Sequence, residues 1–179
     1  MALRFSAAEI PQWAAKYAYP RPDHYLNGEL RAAALQQQYI TRDQLLKICR
    51  WKAPRAAPKA EPNNETYVRD VTAISFSTQN ERLRIEVLTL LDGVKWPTAS
   101  TILHFAVNAD YPILDDRALW SLGIEARPDE YEFDLWNKYV QICRAIAAEA
   151  RVPVRTLDKA LWQYAKIHQP PRGAASKLR

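Results

Sequence analysis

The sequence predicts an all-α protein. Glycine is scarce, at 4 of 179 residues, and proline is plentiful at 12, which argues against β-rich and P-loop folds and for helices punctuated by proline. Apolar residues recur at helical spacing along nearly the whole chain, and no segment alternates at period two for long enough to form a strand. Hydrophobic residues make up 48% of the chain, ample for a core. The length suits one domain folded as a compact, two-lobed helical body.

Taken in order, Ser6 is placed to cap a short helix carrying Ile10, Trp13 and Tyr17, which ends before Tyr19-Pro20-Arg21-Pro22. A second helix is expected over about 27–38, and Thr41 caps a third with Leu45, Leu46, Ile48 and Cys49 on its apolar side. Residues 53–63 hold Pro54, Pro58 and Pro62, so they form a connector that no helix can cross. Asn63 or Asn64 restarts helix through Val68, Val71 and Ser75. Leu83, Val87, Leu88 and Leu91 then line one face of a helix over about 80–91. Pro97 suits the first turn of a helix reaching Phe105. A short helix from Asp115 to Leu122 stops at Gly123, a long one covers Asp129 to about Ala150, and Thr156 opens the last, through Lys166. Two lobes are expected, one of about 1–60 with 125–179 and one of about 63–124, and residues 168–179 read as a frayed basic tail.

The 25 Lys and Arg against 20 Asp and Glu give a net charge of +5, which permits a polyanionic partner without requiring one. Arg50, Lys52, Arg55 and Lys59 cluster after the third helix. Cys49 and Cys143 show no metal-ligand spacing and read as buried thiols in a reducing compartment; no metal or cofactor is expected. No apolar run approaches a membrane span and the N-terminus has no apolar leader, so a soluble, cytoplasmic protein without a membrane partner is expected.

Most of the functional information lies in residues 83–123. A helix ends near Leu91, a turn holds Gly93, and a helix begins at Pro97. Such a hairpin leaves N–H groups unpaired at the start of its second helix, where the helix dipole also favours an anion, so a phosphate is the natural ligand. Gly93 permits a left-handed turn and close backbone approach, and Lys95 adds a cation. Alone, such a turn more often serves only to reverse the chain.

Leu91-Asp92-Gly93-Val94-Lys95-Trp96-Pro97-Thr98-Ala99 resembles the hairpin motif of the helix-hairpin-helix DNA glycosylase superfamily, the group of endonuclease III and alkyladenine glycosylase. Ile113-Leu114-Asp115-Asp116-Arg117-Ala118-Leu119 resembles the apolar pair, aspartate and short helix that follow it there. Asp115 lies 115 − 97 = 18 positions after Pro97, the position where bifunctional members carry a catalytic lysine. The resemblance implies DNA contacts at Gly93, Val94, Lys95, Trp96 and Thr98, and a catalytic Asp115. A carboxylate beside the sugar suits the oxocarbenium character that develops as an N-glycosidic bond breaks. Asp115 also suits a plain N-cap, and the two roles are compatible.

Three departures shape the expectation. Pro97 cannot form a Schiff base, so strand nicking through a lysine at that position is not expected. The four-cysteine iron–sulfur motif is missing. Asp92 and Lys95 replace the motif's usual proline and second glycine. A flipped base needs aromatic walls, and Trp51, Lys52 and Arg55 supply an aromatic and two cations at a helix end. Equally, Trp51 caps the core there and the charges are solvated. Trp96 either packs on DNA or caps the hairpin. Trp120, the Trp136, Tyr139 and Cys143 set, the Leu157, Leu161 and Ala165 set, and His104 read as packing.

The expected function is therefore a DNA glycosylase without lyase activity, acting on double-stranded DNA with a flipped base and associated with the nucleoid when it does so. The rivals are a non-catalytic helix-hairpin-helix DNA-binding protein and an all-α interaction protein.

Overall fold

The computed structural model describes residues 3–171, and among them every regular element is helical. Polar caps set most starts. Ser6 and Glu9 form a capping box ahead of α1 (Ile10–Ala15), and Thr41 and Gln44 form another for α3 (Arg42–Lys52). Between them, a widened π-type turn at Leu26–Leu30 leads into α2 (Arg31–Gln37), which Gln38 ends in the left-handed region. Asn64 caps α4 (Glu65–Ser77) and Asn80 caps α5 (Glu81–Glu86) through their side-chain oxygens. Arg84 closes α4 from within α5: its guanidinium donates to the carbonyls of Ser75, Phe76 and Thr78, as a cation at a helix C-terminus should.

After a tight 3-10 turn at Val87–Leu90 comes α6 (Trp96–Ile102), which carries Pro97 in its first turn and runs on into a widened turn at Leu103–Val107. Asp115 caps α7 (Asp116–Ser121), and Gly123 follows it at φ +66°. The long helix α8 (Phe133–Glu149) starts four residues later than expected. Pro128–Glu130 make their own 3-10 turn, with the Glu130 carboxylate folded back onto the Arg127 N–H. Pro153 starts the last helix, α9 (Val154–His168), two residues earlier than Thr156 suggested. Residues 172–179 of the expected tail lie outside the described residues, and His168 belongs to α9.

Helices pack across the boundary between the two expected lobes. Helix α3 lies on α4 and α6 and buries a face of Leu45, Ile48, Cys49 and Trp51. Helix α9 takes α1, α7 and α8 against its own apolar stripe. The hairpin helices thus share a side with α3, while α7 joins the terminal helices, so Asp115 stands where the two groups meet. Trp136, Tyr139, Cys143, Leu157 and Leu161 are fully buried. No helix among the described residues is long and apolar enough to cross a membrane.

His104 is buried, with Nδ1 donating to the Tyr111 carbonyl at 2.8 Å and Nε2 without a partner. Burial, reinforced by Arg155, lowers its pKa to about 3. The unfolded chain therefore takes up the proton first, near pH 6.5, so this contribution is complete above that pH and is lost as pH falls toward 3. The unfolding free energy from urea titrations should drop between pH 6.5 and 4 more steeply than in His104→Gln, by up to about 1.4 kcal/mol per pH unit. Equal slopes in the two proteins would show that His104 is not the group responsible.

Candidate active site

Asp115 has an extended backbone, φ −152° and ψ 142°, and its Oδ1 accepts the Arg117 N–H at 3.0 Å. The segment leading to it is held from three helices. The Leu114 N–H donates to Ser100 Oγ of α6 at 2.9 Å, and the Ile113 N–H donates to Asp158 Oδ1 of α9 at 3.2 Å. The Tyr139 hydroxyl of α8 donates to the Ile113 carbonyl at 3.0 Å. With its backbone held in this way, the carboxylate has little freedom of position.

The second oxygen of Asp115 meets Lys52, the last residue of α3. Nζ lies 2.8 Å from Oδ2, with the lysine side chain 8% exposed and the aspartate 21%. Both line a small cleft of about 20 Å³, room for roughly one water, together with Tyr17, Tyr19, Trp51, Arg155, Asp158 and Trp162. Its aromatic walls touch one another. Tyr17 and Tyr19 are parallel with centroids 6.0 Å apart, and Trp51 lies 4.8 Å from Tyr19. Trp162 meets both tyrosines edge-on.

Beneath these rings Arg155 bonds Asp158 at 2.5 Å and Asp23 at 2.7 Å. Burial opposes its charge, but Asp158, Tyr17 and Asp23 outweigh that and hold the guanidinium above its ordinary pKa. Burial likewise pushes the Tyr17 hydroxyl well above its usual range. No group of histidines, cysteines or carboxylates among the described residues is arranged to hold a metal ion.

The hairpin abuts this site through Ser100. Gly93 sits at φ +75°, as its left-handed turn requires, but the side left bare by its missing Cβ faces the protein. A Cβ there would lie 2.6 Å from the Ala60 backbone nitrogen and 2.9 Å from the Lys59 carbonyl carbon. Asn63 fastens the same turn: its Oδ1 accepts the Asp92 N–H at 2.9 Å, and its Nδ2 donates to the Asp92 carbonyl at 2.9 Å. Among the described residues, the N–H groups of Gly93, Lys95 and Trp96 have no protein acceptor.

Three expected positions need correction. Val94 and Thr98 are buried, so their side chains belong to the core and do not reach a ligand outside it. Arg55 is exposed and does not line the cleft, because the turn after α3 carries it away from Lys52. Lys95 is exposed, and Trp96 is partly buried against the core. Trp51 and Lys52 do line the cleft, although the Trp51 indole also donates to the Arg21 carbonyl at 3.0 Å, which fixes it in the wall.

Sequence reasoning missed Tyr17, Tyr19, Arg155, Asp158 and Trp162. A signal existed for two of them, since Arg155 and Asp158 put a charged i,i+3 pair beside the apolar Leu157 and Leu161. The rings come from both ends of the chain and carry no local pattern.

Compared with known proteins, the chain matches no family model, no curated protein and no solved structure.

Gly93→Ala should destabilise the protein by roughly 1–3 kcal/mol, because both the left-handed backbone and the Ala60 contact penalise a Cβ. Urea unfolding monitored by tryptophan fluorescence measures the loss. An unchanged midpoint would mean that the connector yields at no cost.

Proposed function

We propose that the protein is a DNA N-glycosylase that removes a damaged or modified base by hydrolysis, with Asp115 as its catalytic carboxylate. The observation that carries this reading is the position of Asp115. It opens a helix, beside a hairpin with unpaired N–H groups, and one oxygen faces a cleft with aromatic walls. A negative charge held there is suited to stabilising the cation that forms on deoxyribose as the base departs.

In this reading the hairpin takes a backbone phosphate through the N–H groups of Gly93, Lys95 and Trp96, with Lys95 beside them. The base swings toward Tyr17, Tyr19, Trp51 and Trp162. Because these rings already pack against one another around the small cleft, a base enters only by displacing one of them. Pro97 leaves the hairpin helix without an amine.

The ion pair with Lys52 favours a second reading, a DNA-binding protein without catalysis, in which Lys52 and Asp115 join two helices and do nothing else. One experiment separates them. Wild type and Asp115→Asn are incubated with duplexes carrying a panel of oxidised, alkylated, deaminated and phage-type bases, and abasic sites are then cleaved with alkali. Glycosylase activity predicts breaks that fall by about 100-fold or more in Asp115→Asn. Duplex binding without Asp115-dependent breaks on any substrate supports the second reading. Binding should weaken with salt, and Lys95→Ala should reduce the salt slope by about 1 if the hairpin contacts a phosphate.

A further inference from the structure

A second cavity, of about 620 Å³, lies between α7, the turn at Pro128–Glu130 and Gln169 just after α9, and is far larger than the cleft at Asp115. Trp120, Ile124, Ala126 and Pro128 give it an apolar lining. Its charged lining is unbalanced, with the carboxylates of Asp116, Glu125, Asp129 and Glu130 against the guanidinium of Arg127. Arg127 is already shared between Asp129 and Glu130, at 3.3 Å from each, and no cation among the described residues pairs with Glu125. Trp120 is a fixed wall. Arg4 lies 4.5 Å from the centre of its ring and donates Nε to its carbonyl at 2.7 Å, and Tyr164 stacks on it at 6.1 Å. Such a preformed, acidic surface repels nucleic acid and attracts a cationic chain.

The sequence brings such a chain to the edge of the cavity. Asp116 and Gln169 also line an adjoining cavity of about 240 Å³, whose wall includes Pro170 and Pro171. The residues that follow directly, 172–179, carry Arg172, Lys177 and Arg179 and no Asp or Glu. We propose that the acidic cavity is the docking site of this basic segment, which its carboxylates hold through ion pairs. The eight residues reach up to roughly 26 Å when extended, enough to cross the cavity. Exposed ion pairs are individually weak, but so short a tether keeps the segment at an effective concentration of about millimolar. Docking also withholds three cations from other polyanions, and salt releases them. None of this depends on the chemistry at Asp115.

The test uses the full chain and a water-soluble carbodiimide, which joins an amine to a carboxylate that touches it. Peptide mapping of the monomer band by mass spectrometry should find Lys177 coupled to Glu125, Asp129 or Glu130. The yield should fall by about 10-fold in 1 M sodium chloride, where the Debye length is only about 3 Å. It should fall also in the Arg172→Ser, Arg179→Ser double variant, which keeps the Lys177 amine and every carboxylate, while circular dichroism shows an unchanged fold. Coupling of Lys177 to carboxylates elsewhere on the surface, or a yield that ignores salt, overturns the proposal. So does coupling found only between two molecules, which would make a second copy the occupant.

Discussion

The Arg155 guanidinium lies under the aromatic floor of the cleft and holds two carboxylates from distant parts of the chain. Asp23 belongs to the segment before α2, and Asp158 lies one turn along α9 from Arg155 itself. Asp158 in turn accepts the Ile113 N–H, whose residue also accepts the Tyr139 hydroxyl at its carbonyl. Two residues farther on stands Asp115. A buried charge of this kind is stabilising only while every partner is present, and losing one partner leaves an uncompensated ion. The N-terminal segment, α8, α9 and the Asp115 segment are therefore fixed together or not at all. The same guanidinium lies within 6 Å of the Tyr17, Trp51 and Phe105 rings, so the cation also orders the wall above it.

The hairpin adds a second constraint from the opposite side. Ser100 Oγ donates to the Pro97 carbonyl and accepts the Leu114 N–H, which locks the first turn of α6 to the strand-like approach to α7. A ligand held at the start of α6 is thereby held in a set relation to Asp115, with only rigid helix and one hydroxyl between them. In the catalytic reading this is how a phosphate contact becomes a sugar position. Such positioning costs nothing at the moment of reaction, because folding has already fixed it.

Much of the fold was legible because its starts are chemical. Ser6, Thr41, Asn64, Asn80 and Asp115 each cap through a side chain, and Gly123 ends a helix with positive φ. These are local effects that a sequence carries openly. Asp115 was legible for the same reason, and Trp51 and Lys52 because an aromatic and a cation closed a helix before prolines. The rest of the cleft was not. Tyr17 and Tyr19 lie more than 130 positions from Arg155, Asp158 and Trp162, and only the pairing of α1 with α9 brings them together. Val94 and Thr98 mislead for the converse reason. A motif names positions, but burial decides which side chains face outward, and both face the core.

The connector between α3 and α4 reads at first as a place where evolution is free to tinker, since proline-rich surface loops ordinarily accept insertions. Here both of its ends are committed. Lys52 starts it at the Asp115 carboxylate, and Asn63 finishes it clasping the Asp92 peptide, while the Ala60 backbone fills the space beside Gly93. Arg42 grips it further through the carbonyls of Glu61 and Asn63. Its length is thus a calibrated spacer between the hairpin and the cleft. Related sequences should vary in its composition long before they vary in its residue count, and a single inserted residue should misalign two sites at once.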